Sequence, residues 1–187
     1  MKKNEAILFY QNLRNQLSEE DLNNLSLNII KNFTENFDLK DKTISVFLPI
    51  IAKREINTTI LFSLAANFKL AIPKWNHETN QLSHYLYEPT STRFITSKFG
   101  IQEPEKGQII ATENIDYVLT PLLAIDQRGM RVGYGKGVYD TFFKSCLPKT
   151  VKIGLHFFDI IKKIEDTNEL DIPLDFCVTP EKITYFE

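Results

Sequence analysis

Three short apolar runs, KTISVFLP (42–49), KLAIP (69–73) and IDYVLTP (115–121), each close on a proline. Proline fixes its own φ and removes a backbone donor, so it ends buried strands cleanly. Before, between and after these runs the apolar residues fall at helical spacing instead. Residues 5–17 place Ile7, Leu8, Leu13 and Leu17 near a helical period, and Leu22, Leu25, Ile29, Ile30 and Phe33 repeat it more regularly. Ser18 precedes that second helix with Asp21 three residues on, the spacing of a capping box. Ile60, Leu61, Leu64, Ala65 and Phe68 predict a helix over 56–68, and VYDTFFKSCL predicts another that ends at Pro148.

Further strands are predicted at 82–88, where alternation suits a half-exposed antiparallel strand, after Pro121, at 151–158 and within 176–186. Strands alternating with helices predict an α/β fold: a three-layer α/β/α arrangement with a mainly parallel central sheet, open and doubly wound. With 187 residues and no linker or repeat, one domain over 1–187 is expected. Ligands of such sheets sit beyond the carboxyl ends of the strands, which directs attention to the segments after residues 48, 73, 120 and 156.

The third of these leads into RGMRVGYGKGVYDTFF (128–143), where four of the seven glycines fall within nine positions. The spacing Gly133-x-Gly135-x-Gly137 lacks the third-glycine offset of the dinucleotide fingerprint. Neither is it a Walker A loop, because no Ser or Thr follows Lys136. What remains is a flexible run opening a helix, with Arg131 and Lys136 beside it and Tyr134 and Tyr139 able to stack or hydrogen-bond. On spacing alone two readings stand: a phosphate cradle, or a turn that lets a helix pack closely. Asp140 follows whichever holds. It is a cap residue in the second reading, and in the first it needs Mg²⁺ between itself and the phosphates.

The net charge of −2 gives no argument for a general nucleic-acid or membrane-surface partner, and none is expected. No apolar run reaches bilayer length and none follows the MKK start, so a cytoplasmic protein is expected. Cys146 and Cys177 read as reduced, buried thiols. His77, His84 and His156 have no metal spacing; His84 reads as a strand residue, His77 as loop, and His156 stands at a strand end from which it could approach the expected site.

The order of segments resembles the 5-formyltetrahydrofolate cyclo-ligase family. It runs from a basic N-terminus to Leu17-Ser18, then SVFLP and EINT (45–49, 55–58), IP (72–73), FGIQEP (99–104), DYVLTPLLAIDQRGMRVGYGKGVYD (116–140), IGL (153–155) and DIPLD (171–175). The resemblance implies an enzyme that uses ATP and Mg²⁺ to turn 5-formyltetrahydrofolate into 5,10-methenyltetrahydrofolate. It assigns ATP to Lys3 and to Arg131, Val132, Gly133, Tyr134, Gly135, Lys136, Gly137, Val138 and Tyr139, with Lys136, Tyr134 and Arg131 as catalytic residues. Folate falls to Leu48, Glu55, Trp75, Tyr134, Gly135, Lys136, Gly137 and Val138. The metal falls to Asp140 and Asp171, with Asp175 a close rival for the second place. The partners implied are small molecules, on a monomer or weak homodimer.

The chain departs from the family pattern at Ile7, where an arginine is common, and at Thr141 and Val138. Arg14, on the same helix as Ile7, is the candidate replacement for the missing arginine. Ile7 and Thr141 leave a second reading open, a folate- or nucleotide-binding protein without turnover. A sugar-phosphate isomerase or acyl-transfer relative is disfavoured because no base or nucleophile stands out.

Overall fold

The structure, a computed structural model, describes all residues from Met1 to Glu187. Helices α1 (Lys3–Gln16) and α2 (Glu19–Asn36) come first. The strands β1 (Thr43–Ser45), β2 (Lys69–Asn76), β3 (Gln81–Leu86), β4 (Phe94–Thr96), β5 (Gln102–Pro104) and β6 (Ile109–Ile110) follow. The chain continues through β7 (Tyr117–Pro121), β8 (Ala124–Ile125), β9 (Arg131–Val132), α3 (Val138–Phe143), β10 (Val151–Leu155), β11 (Phe176–Val178) and β12 (Ile183–Tyr185). The main sheet has the order β12-β11-β10-β7-β1-β2-β3-β6. Its centre, from β11 to β2, is parallel, while the flanking pairs β11–β12, β2–β3 and β3–β6 are antiparallel. This is the expected α/β architecture, with a mostly parallel sheet.

Alternation along the central strands sends neighbouring residues to opposite faces. Leu119, Ile153 and Val178 join Ile29, Ile30 and Phe33 of α2 in one core. Val118 and Cys177 join Phe142 and Phe143 of α3 in the other. Helix α1 covers neither face. It lays Ala6 and Tyr10 against Leu123, Ala124 and Val132 of the small β8–β9 hairpin, above the carboxyl edge of the sheet. No helix is long and apolar enough to cross a membrane.

The Ser18 box forms as expected: Ser18 Oγ accepts from the Asp21 N–H at 3.0 Å, and the Asp21 carboxylate accepts the Ser18 N–H at 3.1 Å. Elsewhere local chemistry redraws the expected elements. In α1 the buried face is Ala6, Tyr10 and Arg14, and Leu8 is 71% exposed. The helix expected over 56–68 is a 3₁₀ helix, Thr58–Leu64, with Asn57 capping Thr59. Three β-branched residues, Thr58 to Ile60, open it and favour the short tight form.

Strand β2 passes through Pro73 to Asn76 rather than stopping there. Pro73 lies past Ala71, the last residue that β1 pairs, so only β3 remains as a neighbour. The helix expected to reach Pro148 ends at Phe143, where Ser145 and Cys146 make i to i−3 bonds that tighten the chain into turns.

Gly129 has φ +75° in the turn before β9, and a Cβ there would lie 2.5 Å from the Leu174 carbonyl oxygen. Both a left-handed backbone and a backbone contact oppose any side chain. Gly129→Ala is therefore expected to destabilise the fold by about 2–4 kcal/mol, read as a lower urea midpoint with an unchanged slope.

Candidate active site

The carboxyl ends of β1, β2 and β7, the β8–β9 hairpin and the first turns of α1 surround a cleft of about 770 Å³. Three of the four expected segments reach it, through Leu48, Trp75 and Pro121. The fourth does not. His156 is fully buried between Tyr10 and Phe158, away from the cleft lining.

One side of the cleft is apolar. Leu48, Ile50, Trp75 and Phe99 form its walls, and the Trp75 and Phe99 rings lie 5.0 Å apart. Trp75 is fixed at both ends: its backbone N–H donates to Glu103 Oε1 and its indole N–H to Asn80 Oδ1, each at 3.1 Å. Glu55 lies here, 8% exposed. Its Oε2 accepts the Ile50 N–H at 2.7 Å and its Oε1 accepts the Tyr134 hydroxyl at 2.6 Å. Burial pushes the Glu55 carboxyl above the usual carboxylate range, opposed by those two donors and by Arg14 and Lys53. The Tyr134 hydroxyl is also raised, by burial first and then by Glu55.

The other side is formed by Arg131 to Asp140, with Lys3 and Asp171 facing it. Gly135 and Gly137 have φ of +77° and +63°, and Gly137 caps α3. Left-handed backbone at both positions explains why glycines crowd there. Helix α3 is only six residues long, so little dipole reinforces the loop, and the charge must come from side chains. Lys136 is exposed on the cleft, and its carbonyl accepts from Asn80 Nδ2 at 3.2 Å. Asn80 therefore ties the Trp75 wall to the glycine loop.

Arg131 is buried, with its guanidinium committed to the Ile172 carbonyl at 2.5 Å and Asp140 Oδ1 at 2.8 Å, over the Phe143 ring. Burial lowers its pKa, against the pull of Asp140. Asp140 Oδ1 also accepts the Ile172 N–H at 3.0 Å. Asp171 receives Lys3 Nζ on both oxygens, at 2.7 and 2.8 Å.

Most residues expected from sequence therefore share one cleft: Lys3, Leu48, Glu55, Trp75, the run from Arg131 to Asp140, and Asp171. Asp175 does not. It pairs with Lys152 near the amino ends of β10 and β11, the far edge of the sheet. Arg14 does not replace an arginine at Ile7 either, because it is buried under the cleft and bonded to protein atoms, while Ile7 itself lines the cleft. Asn80, Phe99, Glu103 and Lys53 were missed as site residues. Phe99 and Glu103 lie within FGIQEP, so that motif carried a signal; Asn80, in an ordinary hairpin turn, carried none.

The two cysteines are reagent-poor. Burial raises Cys146 to about 11 and Cys177 to about 12.

A family model, the 5-formyltetrahydrofolate cyclo-ligase family, matches residues 11–180. The chain belongs to that family. Among cyclo-ligases, the Escherichia coli K12 5-formyltetrahydrofolate cyclo-ligase is 28% identical over 146 residues, covering 75% of this chain and 79% of that protein. The Mus musculus 5-formyltetrahydrofolate cyclo-ligase is 29% identical over 179 residues, 88% of this chain and 86% of its own length. The NMR structure of Aquifex aeolicus 5,10-methenyltetrahydrofolate synthetase superposes with TM-score 0.81 at 29% identity, over 99% of this chain and 93% of that one. The Mycoplasma pneumoniae synthetase shares the fold at TM-score 0.74 and 21% identity, over 96% and 99% of the two chains.

Proposed function

We propose that this chain, as one domain, is an ATP-dependent 5-formyltetrahydrofolate cyclo-ligase, converting 5-formyltetrahydrofolate to 5,10-methenyltetrahydrofolate. The observation that carries this reading is the division of a single cleft. An apolar side walled by Trp75 and holding the Glu55 carboxylate meets a glycine loop bearing Lys136. Folate lies along the first side, with Glu55 accepting from its amino and ring N–H groups and Leu48 and Trp75 against its rings. The ATP phosphates lie along Gly133 to Tyr139, with Lys3 and Lys136 as their cations.

The N5 formyl oxygen attacks the γ-phosphorus and ADP leaves. N10 then adds to the activated carbon, the carbon–oxygen bond breaks, phosphate departs and N10 gives up its proton. The chain's own contribution is positioning and charge neutralisation, with no protein nucleophile. Lys136 meets the charge that grows on the transferring phosphoryl group. Tyr134, on the glycine loop and bonded to Glu55, stands between the two substrates. Arg131 holds Asp140 and the 172 backbone in place.

The residues present fit Mg²⁺. No group of three or more His, Cys, Asp or Glu side chains forms a protein cage, but Asp140 and Asp171 both line the cleft. Mg²⁺ characteristically takes one or two carboxylates and completes its shell with phosphate oxygens and water. When bound it would neutralise phosphate charge, and Asp140 and Asp171 would hold it, Asp171 by giving up the Lys3 ammonium to the phosphates.

Mixing the purified protein with 5-formyltetrahydrofolate, ATP and Mg²⁺ tests the reading. Methenyl absorbance should grow only with ATP present. Binding of both ligands without that signal would leave a non-catalytic folate- and nucleotide-binding protein as the reading.

A further inference from the structure

Arg14 is a full positive charge held 2% exposed in the last turn of α1, and no carboxylate forms an ion pair with it. Burying an unpaired charge costs several kcal/mol, so a fold that keeps one needs a reason. Its guanidinium donates to the Leu122 carbonyl at 2.5 Å and to the Tyr134 hydroxyl oxygen at 3.1 Å, and lies 5.7 Å from the Phe157 ring centroid. Guanidinium can only donate, so it occupies Tyr134 as an acceptor. The single phenolic proton is then free for one partner, and that partner is Glu55 Oε1 at 2.6 Å.

We infer that Arg14 is a positioning residue for the ring-closure reaction, acting through the Tyr134 hydroxyl to orient the Glu55 carboxylate and supply the opposing charge. This rests on the reading of Glu55 as a folate contact. The groups that face Glu55 are Arg14 from α1, Lys53 from the 3₁₀ turn at Ile51–Lys53, Tyr134 from the glycine loop and Tyr139 from α3. The tyrosines are neutral, which leaves two cations. Lys53 is exposed, where water and salt weaken its field, whereas Arg14 acts through the dry interior. Arg14 therefore joins the Ile50 N–H and the Tyr134 hydroxyl in opposing the rise that burial imposes on this carboxyl, and helps keep it an acceptor for substrate N–H groups.

The test compares wild type, Arg14→Gln, Glu55→Gln and the double variant. Steady-state rates are measured across pH, and folate binding by quenching of Trp75, the chain's single tryptophan. Arg14→Gln should raise the folate KM about tenfold, with kcat and the ATP KM changing much less. It should also move the acid limb of kcat/KM for folate up by about one pH unit. The double variant should be no worse than Glu55→Gln alone, because the arginine acts through that carboxylate.

A folded Arg14→Gln with folate KM and acid limb unmoved overturns the proposal, as do fully additive losses in the double variant. Should Arg14→Gln fail to fold, Arg14→Lys keeps the charge and gives up the two-armed hold. It should raise the folate KM while leaving the acid limb in place, and an unchanged KM overturns the proposal. Wild-type folate affinity in Glu55→Gln overturns the Glu55 reading itself, and is distinguished from failure of the Arg14 link alone, in which only Glu55→Gln weakens binding.

Discussion

Lys136→Ala is expected to lower kcat for methenyl formation by about 10²–10³, the cost of removing one preorganised charge from a developing anion. Folate affinity should fall far less, because the apolar wall and Glu55 lie on the other side of the cleft. The side chain is exposed and sits between Gly135 and Gly137, and the loop is anchored through the Lys136 carbonyl rather than the ammonium. Truncation should therefore leave the melting temperature unchanged. That separates loss of chemistry from loss of structure. Rapid-quench measurement of ADP formation locates the defect: it should appear in the first turnover. Unchanged turnover would make Lys136 a solvated lysine.

The second large effect is acid lability. His84 is buried in β3, with Nε2 2.8 Å from Ser45 Oγ and its ring 4.6 Å from that of Phe142. Burial pulls its pKa down to about 4. His156, sealed between Tyr10 and Phe158 with neither ring nitrogen hydrogen-bonded, is pulled down to about 3 by burial and then by Arg14. Both are neutral in the fold and take a proton near pH 6.5 when unfolded. Below that pH the unfolded chain binds more protons, so stability is present above about 6.5 and is lost as pH falls toward the folded values.

Each histidine should remove about 2 kcal/mol between pH 6.5 and 5. Glu55 works in the opposite sense, since its raised carboxyl takes a proton in the fold before it does in the unfolded chain. Urea midpoints should drop steeply from pH 7 to 5, and His156→Leu should flatten part of that slope. A midpoint constant over this interval would mean that both rings accept protons in place.

The cleft was legible because parallel strands put their carboxyl ends together; Pro49 and Pro121 marked two of those ends, while Pro73 marked only where β2 outruns its pairing with β1. The glycine loop was legible as a backbone demand, and left-handed φ at Gly135 and Gly137 meets it. What sequence did not carry was which charged residues turn inward. Arg14 sits among polar neighbours in NLRNQ, and its burial follows from where α1 crosses the β8–β9 hairpin, a long-range fact. Asp171 and Asp175 are four residues apart and equivalent on paper. The turn at 168–174 sends one to Lys3 in the cleft and the other to Lys152 at the opposite edge. The short α3 was hidden because VYDTFFKSCL keeps a helical apolar period beyond the point where the backbone tightens.

The central claim is that this cleft activates the formyl oxygen by phosphorylating it. Turnover of 5-formyltetrahydrofolate carrying a heavy-oxygen label in its formyl group tests that claim directly. The label should appear in the inorganic phosphate released, in proportion to methenyl product formed. Phosphate free of label, with methenyl product still accumulating, would contradict it.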